Sequence, residues 1–82
     1  MPKVFSRTVE THYEGLLGKL FNAIKTADTS LKKKVAEEKF FDTLCDISTD
    51  YHGSRAHRMV RKYNDMYENY RLEQQIKSEE SD

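Results

Sequence analysis

Apolar residues recur at steps of three and four through most of the chain. In the first stretch, Val9, Tyr13, Leu16, Leu17, Leu20, Phe21, Ile24 and Ala27 fall on one broad stripe of a 3.6-residue helix. They predict a helix over 8–26, capped by Ser6 or Thr8. The polar cluster Asp28-Thr29-Ser30 then stops it and caps the next helix. In the second stretch, Leu31, Val35, Phe40, Phe41, Leu44, Ile47 and Tyr51 carry the rhythm. Phe40, Leu44, Ile47 and Tyr51 have the four-three-four spacing of a packed antiparallel seam. This second helix is expected over 30–52. Gly53 then stands where a left-handed residue ends a helix, and Ser54 follows as an N-cap. Met59, Val60, Tyr63, Met66, Tyr67 and Tyr70 continue the pattern and predict a third helix over 54–76.

Three long helices joined by short corners define an all-α fold. The expected architecture is a three-helix bundle, or a long antiparallel helical hairpin with a docked third helix. A single helical domain spans 8–76, with an N-terminal arm at 1–7 and an acidic tail at 77–82 that frays. Composition agrees: three glycines and one proline are too few for a turn-rich β protein, and nine aromatic residues are too many for a disordered tail. At 82 residues the core is thin, so some stability is expected to come from a partner.

Net charge is zero, but the charges are zoned. Residues 52–62 hold Arg55, Arg58, Arg61 and Lys62 and no acid, whereas 63–82 hold two basic and six acidic residues. Helix two opens with Lys32, Lys33 and Lys34 and carries Asp42, Asp46 and Asp50 toward its end, and helix three runs from basic to acidic. Both oppose the helix macrodipole, at a cost of a few tenths of a kcal/mol per end. Folding helices two and three against each other about Gly53 makes the zones complementary. It would set Asp46 and Asp50 beside Arg58 to Lys62, and Lys32 to Lys34 and Lys39 beside Glu68 and Glu73. The competing expectation for Arg55, Arg58, Arg61 and Lys62 is contact with phosphate or an acidic partner. A neutral chain with an acidic tail makes nucleic acid the second choice, because phosphate neutralisation dominates such affinity.

Candidate chemistry is sparse. His52 and His57 are five apart across Gly53, and Cys45 has no second cysteine, which matches no zinc spacing. Asp42, Asp46 and Asp50 form a stripe of the kind that faces solvent or pairs with cations. No triad order or phosphate loop is present. No catalytic residue, cofactor or metal is therefore expected, and the chain is not expected to be an enzyme. One cysteine, no transmembrane run and no apolar leader segment lead to an expectation of an intracellular, reducing compartment, cytoplasmic or nuclear.

Two features are left unused by a self-contained bundle. Leu72 and Ile76 lie one turn apart, nearly opposite the tyrosine stripe. Gly15 and Gly18 interrupt helix one on the face away from its apolar stripe, where each costs about 1 kcal/mol against alanine. With Val4 and Phe5 ahead of the first helix, these residues are expected to be contacts for another protein chain, in a hetero-complex or a homodimer. The function expected on this basis is a non-catalytic helical interaction module, an adaptor or accessory subunit of a larger assembly. A small nucleic-acid-associated protein is the alternative.

Overall fold

A computed structural model describes the backbone of residues 3–80 and the side chains of residues 4–77. Three helices, α1 (Arg7–Thr26), α2 (Ser30–Asp50) and α3 (Ser54–Glu80), run up, down and up as a three-helix bundle. The caps form where the polar residues ask for them. Ser6 is extended (φ −73°, ψ 168°), and its hydroxyl accepts from the Val9 N–H at 3.3 Å. Thr29 does the same for α2, its Oγ1 accepting from the Lys32 N–H at 3.1 Å. Each cap satisfies one of the amide donors that a helix start leaves unpaired.

Buried side chains from all three helices meet in one cluster. Leu17, Phe21 and Ile24 come from α1, Ala36, Phe40, Leu44 and Ile47 from α2, and Ala56, Met59, Tyr63 and Tyr67 from α3. Phe40 sits at its centre, fully buried, with its ring 5.9–6.4 Å from those of Phe21, Tyr63 and Tyr67. Phe21 and Tyr63 meet it edge-to-face and Tyr67 at a tilt of 37°, arrangements that suit the ring quadrupoles while filling space. The predicted stripes were wider than the buried ones. Leu16, Leu31, Val35, Phe41 and Met66 are exposed, because each helix of a three-helix bundle is covered on only part of its circumference.

The corner between α2 and α3 differs from the expected one. Helix two ends at Asp50, and Tyr51 and His52 are extended, where the sequence pattern had placed them in the helix. They pair in parallel with the N-terminal arm, Lys3 opposite Tyr51 and Val4 opposite His52. The pairing brings Phe5 into the end of the bundle, where it stacks with Tyr13 (6.3 Å) and meets the edge of Tyr51 (5.2 Å). Phe5 is only 6% exposed. The expectation that it contacts another chain is thereby corrected: the arm is part of the fold, and its phenyl ring is an internal plug. Gly53 has φ +109°, a region in which L side chains are strained, and its carbonyl accepts the first helical bond of α3 from the His57 N–H at 3.2 Å. The backbone of Gly53, and not the Ser54 side chain, therefore starts α3.

Helix α3 is the longest element. Its 27 residues reach about 40 Å, and it continues past Ile76 through residues expected to fray. Tyr70 is its last half-buried residue, and every described side chain from Arg71 to Lys77 is exposed. Lys33 lies over the Tyr70 ring at 5.6 Å, which sets Tyr70 level with the first turns of α2. The remaining turns of α3 therefore overhang the bundle. They account for an extent of 51 × 21 × 18 Å and a radius of gyration of 14.4 Å, against about 12 Å for a compact chain of this length.

Candidate functional site

The basic tract Arg55–Lys62 lies along the groove between α1 and α3. Ala56, Met59 and Tyr63 turn inward, so Arg55, Arg58 and Lys62 line the flank that meets α1. Two carboxylates of α1 are there to receive them. Arg55 Nε is 3.2 Å from Glu10, and Lys62 Nζ is 3.6 Å from Glu14. Because α1 and α3 run in the same direction, the two pairs form parallel rungs.

The expected pairing of this tract with Asp46 and Asp50 of α2 is therefore corrected. In a three-helix bundle a helix has two neighbours, and this flank of α3 faces α1. Glu10 and Glu14, one turn apart and the sole acids of α1, were the signal available in the sequence. The pairs are solvent-exposed and contribute about 0–1 kcal/mol each, so they act on register more than on stability.

The groove encloses about 330 Å³ and is lined by Glu10, Glu14, Arg55, Arg58, Lys62, Met59 and Tyr63. Arg58 and Arg61 have no carboxylate within 4 Å among the described residues. Two of the four cations of the tract are thus engaged internally and two remain available. Tyr63 spans the floor, its hydroxyl donating to the Glu14 carbonyl at 3.2 Å.

The acidic stripe falls elsewhere. Asp42, Asp46 and Asp50 are exposed on α2, and Asp46 and Asp50 act on Tyr13. The expected pairing of Lys32 to Lys34 and Lys39 with Glu68 and Glu73 does not form among the described residues. Lys32 pairs instead with Asp28 at 3.2 Å, and Lys33 covers the Tyr70 ring. His52 and His57 share a small hollow with Ser48 at the α2–α3 corner. Among the described residues no three His, Cys, Asp or Glu side chains converge as a metal site.

Three tyrosines are held above the ordinary phenol pKa of 10. Burial is the main cause for each. It is aided by Tyr51, Asp46 and Asp50 around Tyr13, by Glu14 near Tyr63, and by Glu37 near Tyr67. A raised folded pKa means the fold favours the neutral phenol. The associated stability is full below pH 10 and is lost as pH rises through the raised values. Denaturant midpoints are expected to fall as pH rises above about 10. Absorbance titration at alkaline pH should show Tyr13, Tyr63 and Tyr67 ionising above the ordinary phenol value of 10. Ionisation of these three at pH 10 without loss of structure would contradict this arrangement.

The remaining predicted contacts stay on the surface. Gly15 and Gly18 lie on the outer face of α1, where a Cβ would meet nothing within 4 Å. Val4 is exposed on the arm. Leu72 and Ile76 are 57% and 53% exposed on the overhang of α3. The structure brings Leu72 and Ile76 together as one apolar stripe, and leaves the glycine face and Val4 apart from it. A second apolar surface was not anticipated. Leu31 (73% exposed) and Val35 (44%) border a shallow hollow between α1 and α2 together with Leu20 and Ala23. Its signal was present in the first α2 turns but was absorbed into the core stripe.

These features describe a small three-helix bundle with exposed apolar helix faces and a half-neutralised basic groove. No family model, curated protein or solved structure matches the chain. No helix among the described residues is long and apolar enough to cross a membrane.

Proposed function

We propose that this chain is a non-catalytic helical interaction module, an accessory subunit that docks on another protein chain through the overhang of α3. The observation that carries the proposal is the overhang itself. A helical stretch without tertiary packing is marginal in water, because most helical stability comes from packing an apolar face. Here the described side chains from Arg71 to Lys77 are all exposed, with Leu72 and Ile76 one turn apart among them. A partner that covers those two residues would supply the missing packing. The Gly15/Gly18 face and Val4 are secondary contacts in this reading, and Phe5 is withdrawn from it. The exposed thiol of Cys45, without a second cysteine, is consistent with a reducing intracellular setting.

The nucleic-acid alternative has less support. Arg55 and Lys62 already lean on Glu10 and Glu14, and two remaining arginines on a neutral chain give little phosphate neutralisation.

A photo-crosslinking amino acid placed at position 72 tests the module reading in the cell of origin. A discrete protein adduct is expected from position 72 and none from position 46 on the acidic face. Absence of any adduct at 72, with the protein folded and present, would sink the reading.

A further inference from the structure

We propose that the α1–α3 groove is a receptor for a carboxylate side chain, a glutamate or aspartate carried by a short segment of a partner protein. Arg58 is its principal contact, with Arg55 and Lys62 beside it. The site is separate from the α3 overhang and does not depend on it. Three features of the groove point to this ligand.

The first is an unanswered charge. Arg55, Arg58 and Lys62 follow one another at steps of three and four, so they form one row on α3, and all three line the groove. Like charges one turn apart destabilise a helix, and the first turns of a helix disfavour cations. Helix α1 answers two of the three, Glu10 meeting Arg55 and Glu14 meeting Lys62. Arg58, between them in the row, is exposed and has no carboxylate within 4 Å among the described residues. The fold therefore supplies acids to both ends of the row and none to its middle. An anion seated at Arg58 supplies the third.

The second is hydrogen-bonding capacity beside Arg58. A guanidinium has five N–H donors, and one carboxylate in bidentate geometry engages two of them. Glu10 approaches Arg55 at Nε, 3.2 Å away, which holds the guanidinium in place and leaves donors over. Lys62 Nζ carries three donors, with Glu14 at 3.6 Å. Two partly engaged cations thus flank the free one, and a carboxylate at Arg58 can take bonds from all three.

The third is the fit to a carboxylate on a peptide. Three cations against two carboxylates leave the groove net +1. One carboxylate brings that to zero, whereas a phosphate monoester, at about −1.5 to −2, overshoots and is repelled by Glu10 and Glu14. The groove lining comes from α1 and α3 alone, with no loop or α2 residue across either end. From Arg55 to Tyr63 it runs about 12 Å, the span of three to four extended residues. Met59 and Tyr63 make its apolar floor. The Tyr63 hydroxyl is already given to the Glu14 carbonyl, so the polar contacts fall to the cationic wall.

NMR titration of the isotope-labelled full chain with blocked tripeptides tests this, read at backbone amides and arginine Nε–H groups. With acetyl-Leu-Glu-Leu-amide, the signals of Arg55, Arg58, Met59 and Lys62 should move together, half-saturating at about 1–10 mM, the range of a ligand with few contacts. The glutamine counterpart should bind at least tenfold more weakly, and the phosphoserine counterpart no more tightly than the glutamate peptide. Arg58→Gln should weaken the glutamate peptide at least tenfold with unchanged helical CD and melting, because Arg58 has no partner in the fold. Arg61→Gln removes the same charge one turn on, outside the groove lining, and should change affinity by less than about twofold. Signals that stay in place up to about 50 mM glutamate peptide overturn the proposal. Equal losses in the two arginine variants overturn it too, since they would report surface charge alone. A phosphoserine peptide that binds tenfold tighter overturns the choice of carboxylate. Leu72→Asp should leave peptide binding unchanged. Absence of the position 72 adduct with peptide binding intact sinks the overhang reading alone, and the reverse result sinks the groove alone.

Discussion

Phe40→Ala is expected to abolish the cooperative thermal transition, or to lower its midpoint by more than about 12 °C. Phe40 has no exposed surface, and its ring meets Phe21 of α1 and Tyr63 and Tyr67 of α3 from its seat on α2. Truncating a buried phenylalanine costs about 3–5 kcal/mol, counting lost transfer energy and the cavity left behind. A chain of this length has about 4–12 kcal/mol of stability in total. The loss is thus about a quarter of the total at the least. With three helices bracing one ring, no single helix can move to fill the space.

Phe41→Ala supplies the contrast. Phe41 is adjacent in sequence and also aromatic, but it is 38% exposed at the edge of the core, with ring neighbours Tyr67 at 4.8 Å and Phe40 at 5.5 Å. Its truncation should cost about 1 kcal/mol, in line with an edge ring that keeps part of its surface in water. CD-monitored melting of both variants reads the difference. Equal shifts for the two would mean that Phe40 is not the centre of the bundle.

Phe5→Ala is expected to cost about 3 kcal/mol and to detach the N-terminal arm. The two-residue pairing of Lys3 and Val4 with Tyr51 and His52 is too short to persist alone, so the phenyl ring between Tyr13 and Tyr51 holds the arm in place. Two readouts follow besides melting. Limited proteolysis should cut ahead of Ser6 in the variant and spare the wild-type chain. The Tyr13 phenol, raised chiefly by burial, should ionise closer to its ordinary value of 10 once its cover is gone. A variant with wild-type stability and a protected arm would show that the plug has no structural weight.

The helices and the arm differ in how far the sequence disclosed them. Helix α1 was legible nearly to the residue, because Ser6 and Thr29 cap by local chemistry and eight apolar positions repeat on one stripe. Helix α2 was legible except at its end. Tyr51 and His52 continue the apolar rhythm, and their extended state comes from pairing with Lys3 and Val4, 48 residues away in the chain. A contact of that separation leaves no local periodicity to read. The role of Phe5 was missed for the same reason.

Among the site residues, the outward position of Leu72 and Ile76 followed from their angle to the tyrosine stripe. The exposure of Leu31 and Val35 did not, since a helical stripe states which residues are apolar and not how much of it a neighbour covers.

The chain's own pattern was enough to specify three helices, the caps at Ser6 and Thr29, the positive φ of Gly53 and the zoning of charge, all of which depend on residues within a few turns of one another. Which helix answers the basic tract was settled by packing. Arg55, Arg58, Arg61 and Lys62 had carboxylates of suitable spacing on both α1 and α2, and composition cannot rank them. The rotation of α3, set by burying Ala56, Met59, Tyr63 and Tyr67, turns Arg55 and Lys62 toward Glu10 and Glu14 and leaves Asp42, Asp46 and Asp50 exposed on α2. Exposed ion pairs are too weak to choose a helix orientation against several buried rings, so the apolar core dictates where the charges meet.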